Sequence, residues 1–367
     1  MQRRWTAYWA VALAALTLGF SGHGGGSAGA APRTPREQRM PALAFNSHVD
    51  VQDFLLVWVE DRGSGPNIYG KRLFNNGLPQ GGPGKIGAQV VRPDDRRTDP
   101  DGPRADPGLV YNAQQEEYLL VFSEDKGAPN GWDIFATRVN AAGFAVSPPK
   151  LIAGGEGDQQ HPDVELIPEA SADEDRDYLV VFDDNTRDVD EVRAVRLRSN
   201  GIPKAKPYVL VTSTTSNASD PTTTGSAVAW VDDRGGQTDI WSLRLKAGKP
   251  EGKPYRLAGD MFEDDFAPRY GSTGLVWNVY DPGSGADIRG AQIYANNTTR
   301  GNSVGILVPS ADQSWPDGGV GTDGDKSKSV VVFSDNRSGE YDLYAVRTTN
   351  FRLQGQEFPL VVDSAAP

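Results

Sequence analysis

The chain has 367 residues, no cysteine and a formal net charge of −12, with 42 glycines and 26 prolines. The missing cysteines exclude disulfides, thiolate-ligated zinc, a thiol nucleophile and a lipidated-cysteine anchor. The acidic balance repels nucleic acid and anionic lipid, so neither is expected as a partner, and the glycine and proline content fits a turn-rich all-β chain.

Residues 1–30 read as a signal peptide. Arg3 and Arg4 precede the apolar run 9–20, which is too short to span a bilayer comfortably, and Ala28-Gly29-Ala30 forms a small-residue cleavage pattern. The expectation is a secreted protein, extracellular or periplasmic, with no membrane insertion once the signal is removed. Residues 31–40 are a polar lead-in bearing Pro and Arg, expected to be mobile. Residues 41–367 are expected to form one domain and a monomer.

That domain repeats one phrase. WVDDRGGQTDIWSLR (230–244) has copies in WVEDRGSGPNIYGKR (58–72), FSEDKGAPNGWDIFATR (122–138), FDDNTRDVDEVRAVR (182–196) and FSDNRSGEYDLYAVR (333–347). A worn copy, WNVYDPGSGADIRGAQ, covers 277–292. An aromatic ends one β-rich run, charged residues and glycine turn the chain, and a second β-rich run follows, which is the pattern of a hairpin. Each unit has four extended runs. The first follows an X-Pro pair, beginning at Pro41, Pro107, Pro162, Pro221, Pro268 or Pro316. The second ends on the aromatic anchor: Trp58, Phe122, Phe182, Trp230, Trp277 or Phe333. The third follows the turn, and a looser fourth run includes KPYVLV, KPYRLA and FPLVV. The second runs are continuously apolar, as for strands covered on both faces, while the third runs alternate. A blade of this kind has no way to bury both faces alone. The pattern therefore predicts an all-β fold, a six-bladed β-propeller with four antiparallel strands per blade.

The aromatic-x-acid-x-Arg-x-Gly turn followed by Asp-Ile-Tyr or its variants resembles the repeat of the TolB-like β-propellers, over nearly the whole domain. The resemblance implies a six-bladed ring and a secreted bacterial protein. The Ser-Pro-Asp-Gly usual between the first two strands of that repeat is missing, and longer acidic loops stand in its place.

Charges that recur in every copy read as turn-stabilising. The acid two residues after the anchor (Glu60, Glu124, Asp184, Asp232, Asp335) and the arginine late in the third run (Arg72, Arg138, Arg196, Arg244, Arg347) form the expected network. A site used once should lie where copies differ. The residue before each first-run proline is Met40, Asp106, His161, Asp220, Ala267 or Trp315. Strand order puts these six around one mouth of the central channel, each expected in an extended conformation. The candidate ligand-binding set is Asp106, His161, Asp220 and Trp315, with Gln160 and Asp265 beside them. Imidazole and carboxylates on one side and an indole on the other suit a sugar or a cationic side chain. Asp173, Asp175 and Asp177 alternate in an acidic loop, a spacing of hard oxygen ligands that suits calcium. No other cofactor is implied, and no nucleophile elbow, phosphate loop or dinucleotide fingerprint is present. The functional expectation is a non-enzymatic module binding a protein or glycan ligand through the channel face. The alternative is an extracellular polysaccharide hydrolase or lyase, calcium-dependent if the acidic loop binds metal.

Overall fold

A computed structural model of the chain describes residues 36–362 apart from 49, 83–86, 92–101, 128–129, 169–175, 188, 214, 260–262, 272–273, 282–284, 294–302, 308–311 and 320–327. The expected signal peptide and the first half of the lead-in lie outside the described residues. The lead-in is not free to its end: β1 begins at Gln38, whose N–H donates to Tyr341 O at 2.7 Å.

The described chain is a six-bladed propeller. Blade one is β1 (Gln38–Asn46), β2 (Asp53–Asp61), β3 (Pro66–Leu73) and β4 (Ala88–Gln89). Blade two is β5 (Arg104–Asn112), β6 (Glu117–Asp125), β7 (Trp132–Asn140) and β8 (Lys150–Ala153). Blade three is β9 (Gln159–Leu166), β10 (Tyr178–Asp184), β11 (Glu191–Leu197) and β12 (Tyr208–Val211). Blade four is β13 (Ala218–Thr223), β14 (Ala227–Asp232), β15 (Asp239–Lys246) and β16 (Lys249–Ala258). Blade five is β17 (Asp264–Gly271), β18 (Gly274–Asp281), β19 (Gly285–Gln292) and β20 (Val304–Leu307). Blade six is β21 (Gln313–Gly319), β22 (Lys328–Asp335), β23 (Asp342–Thr349), the two-residue β24 (Arg352–Leu353) and β25 (Phe358–Val361). Each sheet is antiparallel and runs in chain order, except that β24 and β25 both pair with β23.

The first strands form the inner ring, β1 against β5, β5 against β9, and so on to β21 against β1. No strand is exchanged to close it. Blade one meets blade six through packing, with Leu43, Phe54, Leu56 and Trp58 against Val330, Val332, Leu343 and Leu360, and through hydrogen bonds such as Leu43 N to Asp317 Oδ2. The six anchors are buried at equivalent places, Trp58, Phe122, Phe182, Trp230 and Phe333 with no exposure and Trp277 at 2%. Such aromatics bury the largest apolar area available to a side chain, so each is the centre of its blade-to-blade layer.

The recurring charges build a knot at five of the six hairpins. In blade four, Asp232 accepts from the Trp230 indole N–H at 3.0 Å and from Arg234 Nε at 2.7 Å, and the Arg234 guanidinium lies 4.0 Å from the centre of the Trp241 ring. Blade one repeats this with Trp58, Glu60, Arg62 and Tyr69, and blade six with Asp335, Arg337 and Tyr344. Blade two uses Lys126 between Glu124 and Phe135, supplemented by the buried Arg104. The knot in blade three is rewired: Arg193 stands where blades one, two, four and six have the aromatic, and it pairs with Asp184 at 2.9 Å. Burial would raise the Asp232 carboxyl, but the Arg234 and Trp230 donors outweigh it and hold it below the ordinary range.

The late third-strand arginines do not belong to this knot. Arg72, Arg138 and Arg196 reach the opposite end of the hairpin and pair with Asp53, Glu117 and Asp177. Arg244 pairs with Glu251 at 3.4 Å, and both side chains are about half exposed. Thus Arg234→Ala should cost about 2 kcal/mol, because it leaves the buried Asp232 only the indole and one backbone N–H. Arg244→Ala should stay within about 0.5 kcal/mol. Denaturant melts of the two variants check this, and equal losses would contradict it.

Candidate functional site

All six residues before the first-strand prolines are left-handed, not extended. Met40, Asp106, His161, Asp220, Ala267 and Trp315 have φ between 47° and 52°. In each blade the ladder skips the X-Pro pair, so X-Pro forms a bulge in the inner strand. The proline ring forbids the right-handed helical region to the residue before it, and a bulge must bend its strand. The chain resolves both demands with a positive φ, at a cost on the order of 1–2 kcal/mol for a side chain bearing Cβ. Proline has no N–H to leave unpaired. The N–H of X is capped across the blade boundary: Asp220 N donates to Asp183 Oδ2 at 3.0 Å, and Trp315 N to Asn278 Oδ1 at 2.9 Å. Both acceptors belong to the preceding blade and directly follow its anchor.

The mouth is divided. Blades two, three and four contribute Asp106, His161 and Asp220, while blades five, six and one contribute Ala267, Trp315 and Met40. His161 is the centre of the charged half. Its Nδ1 lies 2.7 Å from Asp183 Oδ2 and 3.6 Å from Asp220 Oδ1. Burial would depress the imidazole, but Asp183, Asp220 and Asp106 outweigh it and hold it protonated well above its usual range. Burial raises Asp183, with His161 opposing. Asp190 is pushed up to about 6, by burial first and then by Asp183. Asp106 is buried and accepts from Ser123 Oγ at 2.9 Å.

Strand order puts β9 and β21 three places apart in the ring of six, so His161 and Trp315 belong to opposite blades. Trp315 is edge-on to Tyr341, with centroids 5.4 Å apart, and the Arg39 guanidinium lies 5.9 Å from its ring centre. Gln160 is half-buried beside His161 and faces Asp183 in the ladder. Asp265 is placed differently: it is buried and accepts the Trp277 indole N–H at 2.9 Å. Blade five has Val279 where other blades carry the knot acid, and Asp265 supplies that acceptor from the neighbouring strand. It is thus part of the blade, not of the mouth. Of the acidic triplet, Asp173 and Asp175 lie outside the described residues. Asp177 is buried and pairs with Arg196 at 2.7 Å and Lys204 at 2.6 Å, so two cations already hold the carboxylate assigned to calcium.

Sequence reasoning missed Asp183. It directly follows an anchor, where the other copies have Val59, Ser123, Val231, Asn278 and Ser334. Comparing that column would have marked it as the one acid. It also missed the carboxylates farther along the inner strands. Asp163 Oδ2 accepts from Thr222 Oγ1 at 2.7 Å and Thr223 N at 2.9 Å. Thr222 Oγ1 in turn accepts from Tyr270 N at 2.9 Å, and Asp317 Oδ2 from Leu43 N at 2.6 Å. Each of these bonds joins one inner strand to the next.

No family model matches the chain, and no curated protein matches it in sequence. Solved structures share its fold. Putative TolB from Agrobacterium tumefaciens is 14% identical over 70% of this chain and 80% of its own, with a TM-score of 0.45. TolB from Acinetobacter baumannii is 12% identical over 88% of this chain and 65% of its own, with a TM-score of 0.47. A puromycin-hydrolyzing peptidase of Mycobacterium tuberculosis is 15% identical over 90% of this chain and 54% of its own, with a TM-score of 0.46. The chain therefore spans less than two thirds of the latter two proteins. At these identities the likeness is one of fold.

The inner-strand carboxylates give the fold a pH signature. Burial pushes Asp317 from 3.8 up to about 7, and Glu165 from 4.5 up to about 7. A raised carboxyl holds its proton more tightly when folded, so its contribution is full below its unfolded pKa and is lost as pH rises through the folded one. Stability should fall between about pH 4 and pH 7 by on the order of a few kcal/mol. Asp317→Asn keeps an acceptor for Leu43 N and removes the titration, so its melting temperature should fall less steeply over that window. A variant profile parallel to the wild type would contradict the assignment.

Proposed function

We propose that the protein is a secreted, non-enzymatic module that binds a protein or glycan ligand at this channel mouth. The observation that carries the reading is the division of the mouth. An imidazole among three carboxylates faces a half made of Trp315, Met40 and Ala267. A ligand that presents hydroxyls or a cation to one side and an apolar face to the other fits both. The mouth disfavours a phosphate, because three carboxylates outnumber one imidazolium. The aromatic half already holds a cation in cis, Arg39 over Trp315 and Tyr341, so a guanidinium or ammonium is chemistry that this side accepts.

The alternative, a polysaccharide hydrolase or lyase, would use the same His161–Asp183 pair, with the carboxylate orienting the imidazole as acid or base. Among the described residues no serine or threonine hydroxyl is bonded to that imidazole. That absence bears only on a hydroxyl nucleophile, and the binding reading is preferred on the division of the mouth.

The full chain should be screened against arrays of glycans and basic peptides. For the ligands found, His161→Ala and Trp315→Ala should each weaken binding by about 1–3 kcal/mol, while Arg244→Ala leaves it unchanged. Unchanged affinity in both mouth variants, with melting curves showing an intact fold, would remove the site from this face. Release of reducing ends from a polysaccharide would favour the enzyme.

A further inference from the structure

The charged half of the mouth has an excess of carboxylate with no fixed cation to answer it. Among the described residues, no lysine or arginine forms an ion pair with Asp106, Asp183 or Asp220. Their one cationic partner is the imidazole of His161. Several buried acids elsewhere in this chain are answered by arginine or lysine, as Asp232 is by Arg234, Glu124 by Arg104 and Asp177 by Arg196. At the mouth the groups that converge are metal-ligating types. One ligand atom each from His161, Asp183 and Asp220 can be chosen so that all lie within 4.8 Å of one another.

We propose that His161 Nδ1, Asp183 and Asp220 form a binding site for one divalent transition-metal ion. The separations of 2.7 and 3.6 Å from Nδ1 to the two carboxylate oxygens straddle the distance of about 3.3 Å that two bonds of about 2.0–2.1 Å subtend at a tetrahedral angle. Binding exchanges the Nδ1 proton for the ion, and the proton leaves to solvent. The ligands come from three strands of two adjacent blades, β9, β10 and β13. His161 and Asp220 occupy the same bulge position in their blades. Asp183 is held in place as the acceptor of Asp220 N at 3.0 Å. The nearby Asp106 adds negative charge without joining the ligand set.

One imidazole nitrogen among carboxylates selects the zinc, cobalt, nickel and manganese class over calcium, which takes six to eight oxygens. Three protein ligands leave a fourth position open, the arrangement that admits a water or a ligand oxygen. The site is distinct from the acidic triplet weighed for calcium, and it does not depend on the ligand-binding reading. A metal can bind whether or not the mouth takes a larger ligand.

Equilibrium dialysis and calorimetry on the chelator-treated full chain test it with zinc, cobalt and calcium chlorides. The expected result is one zinc or cobalt ion per chain, with calcium much weaker. His161→Gln and Asp183→Asn should each reduce zinc affinity by about ten-fold or more, and the exposed Glu251→Gln should not. Cobalt gives a direct view of the ligands, since its visible absorption should change in His161→Gln. If Asp183→Asn fails to fold, His161→Gln decides alone. Absence of stoichiometric zinc or cobalt binding, or equal affinity in wild type and His161→Gln, would overturn the proposal.

Discussion

The unpaired edge of the innermost strand is the constraint on which the rest of this ring depends. Each first strand has a ladder partner on one side only. Its other edge would present N–H groups without ladder partners, and an unpaired buried donor is costly. The chain meets this with side chains from the preceding blade. Asp163, Thr222 and Asp317 each take an inner-strand N–H of the next blade, and Asp183 and Asn278 take another. The bulge and its proline belong to the same solution, because the proline brings no donor and the bulge aims the one before it. The carboxylates in the channel are thus first of all acceptors for backbone. The raised proton affinities of Asp183 and Asp317 follow from the burial that this work requires.

The charged mouth arises where that solution varies from blade to blade. The position after the anchor holds a serine, an asparagine or valine in other blades and an aspartate only in blade three. Blade three also has the rewired hairpin knot, with Arg193 turned to Asp184 rather than an aromatic under a guanidinium. Threonine stands at the knot's cation position there, as Thr186. The blade carrying His161 therefore departs from the repeat at four positions, His161, Asp183, Thr186 and Arg193, and the first two meet at 2.7 Å.

Much of the architecture was legible in the sequence because hydrophobic periodicity and turn chemistry repeat six times and leave few topologies open. Trp58, Phe122 and the other anchors could be aligned by eye, and they occupy equivalent places. What failed were statements about partners. Arg72, Arg138 and Arg196 stand five residues after Asn67, Asp133 and Glu191 near the start of the third strands, and five residues along a strand span most of a blade, so they pair at its other end. Asp265 stood next to a mouth segment in sequence, but alternation turned it inward to Trp277. The left-handed X-Pro bulge was out of reach of a rule about extended residues before proline, because it is set by the inner-strand ladder. His161, Asp106 and Asp220 came together as strand order implies. Asp183 stands directly beside the turn acid Asp184, and only a column-by-column comparison of the copies sets it apart.

The seam between blades one and six carries a mechanical and a topological meaning. Every blade is a continuous stretch of chain, and the last closes on the first through packing, the Leu43–Asp317 bond and a few further contacts such as Lys71 to Leu360 O. No covalent connection crosses that boundary, while a loop crosses each of the other five. Pulled from its ends, such a ring should peel there first, shedding blades in order like beads from an open bracelet. Rejoined there and cut between other blades, a circularly permuted chain would keep every strand pairing described above. The strand pairings thus depend on the order of the blades around the circle, not on where along it the chain opens.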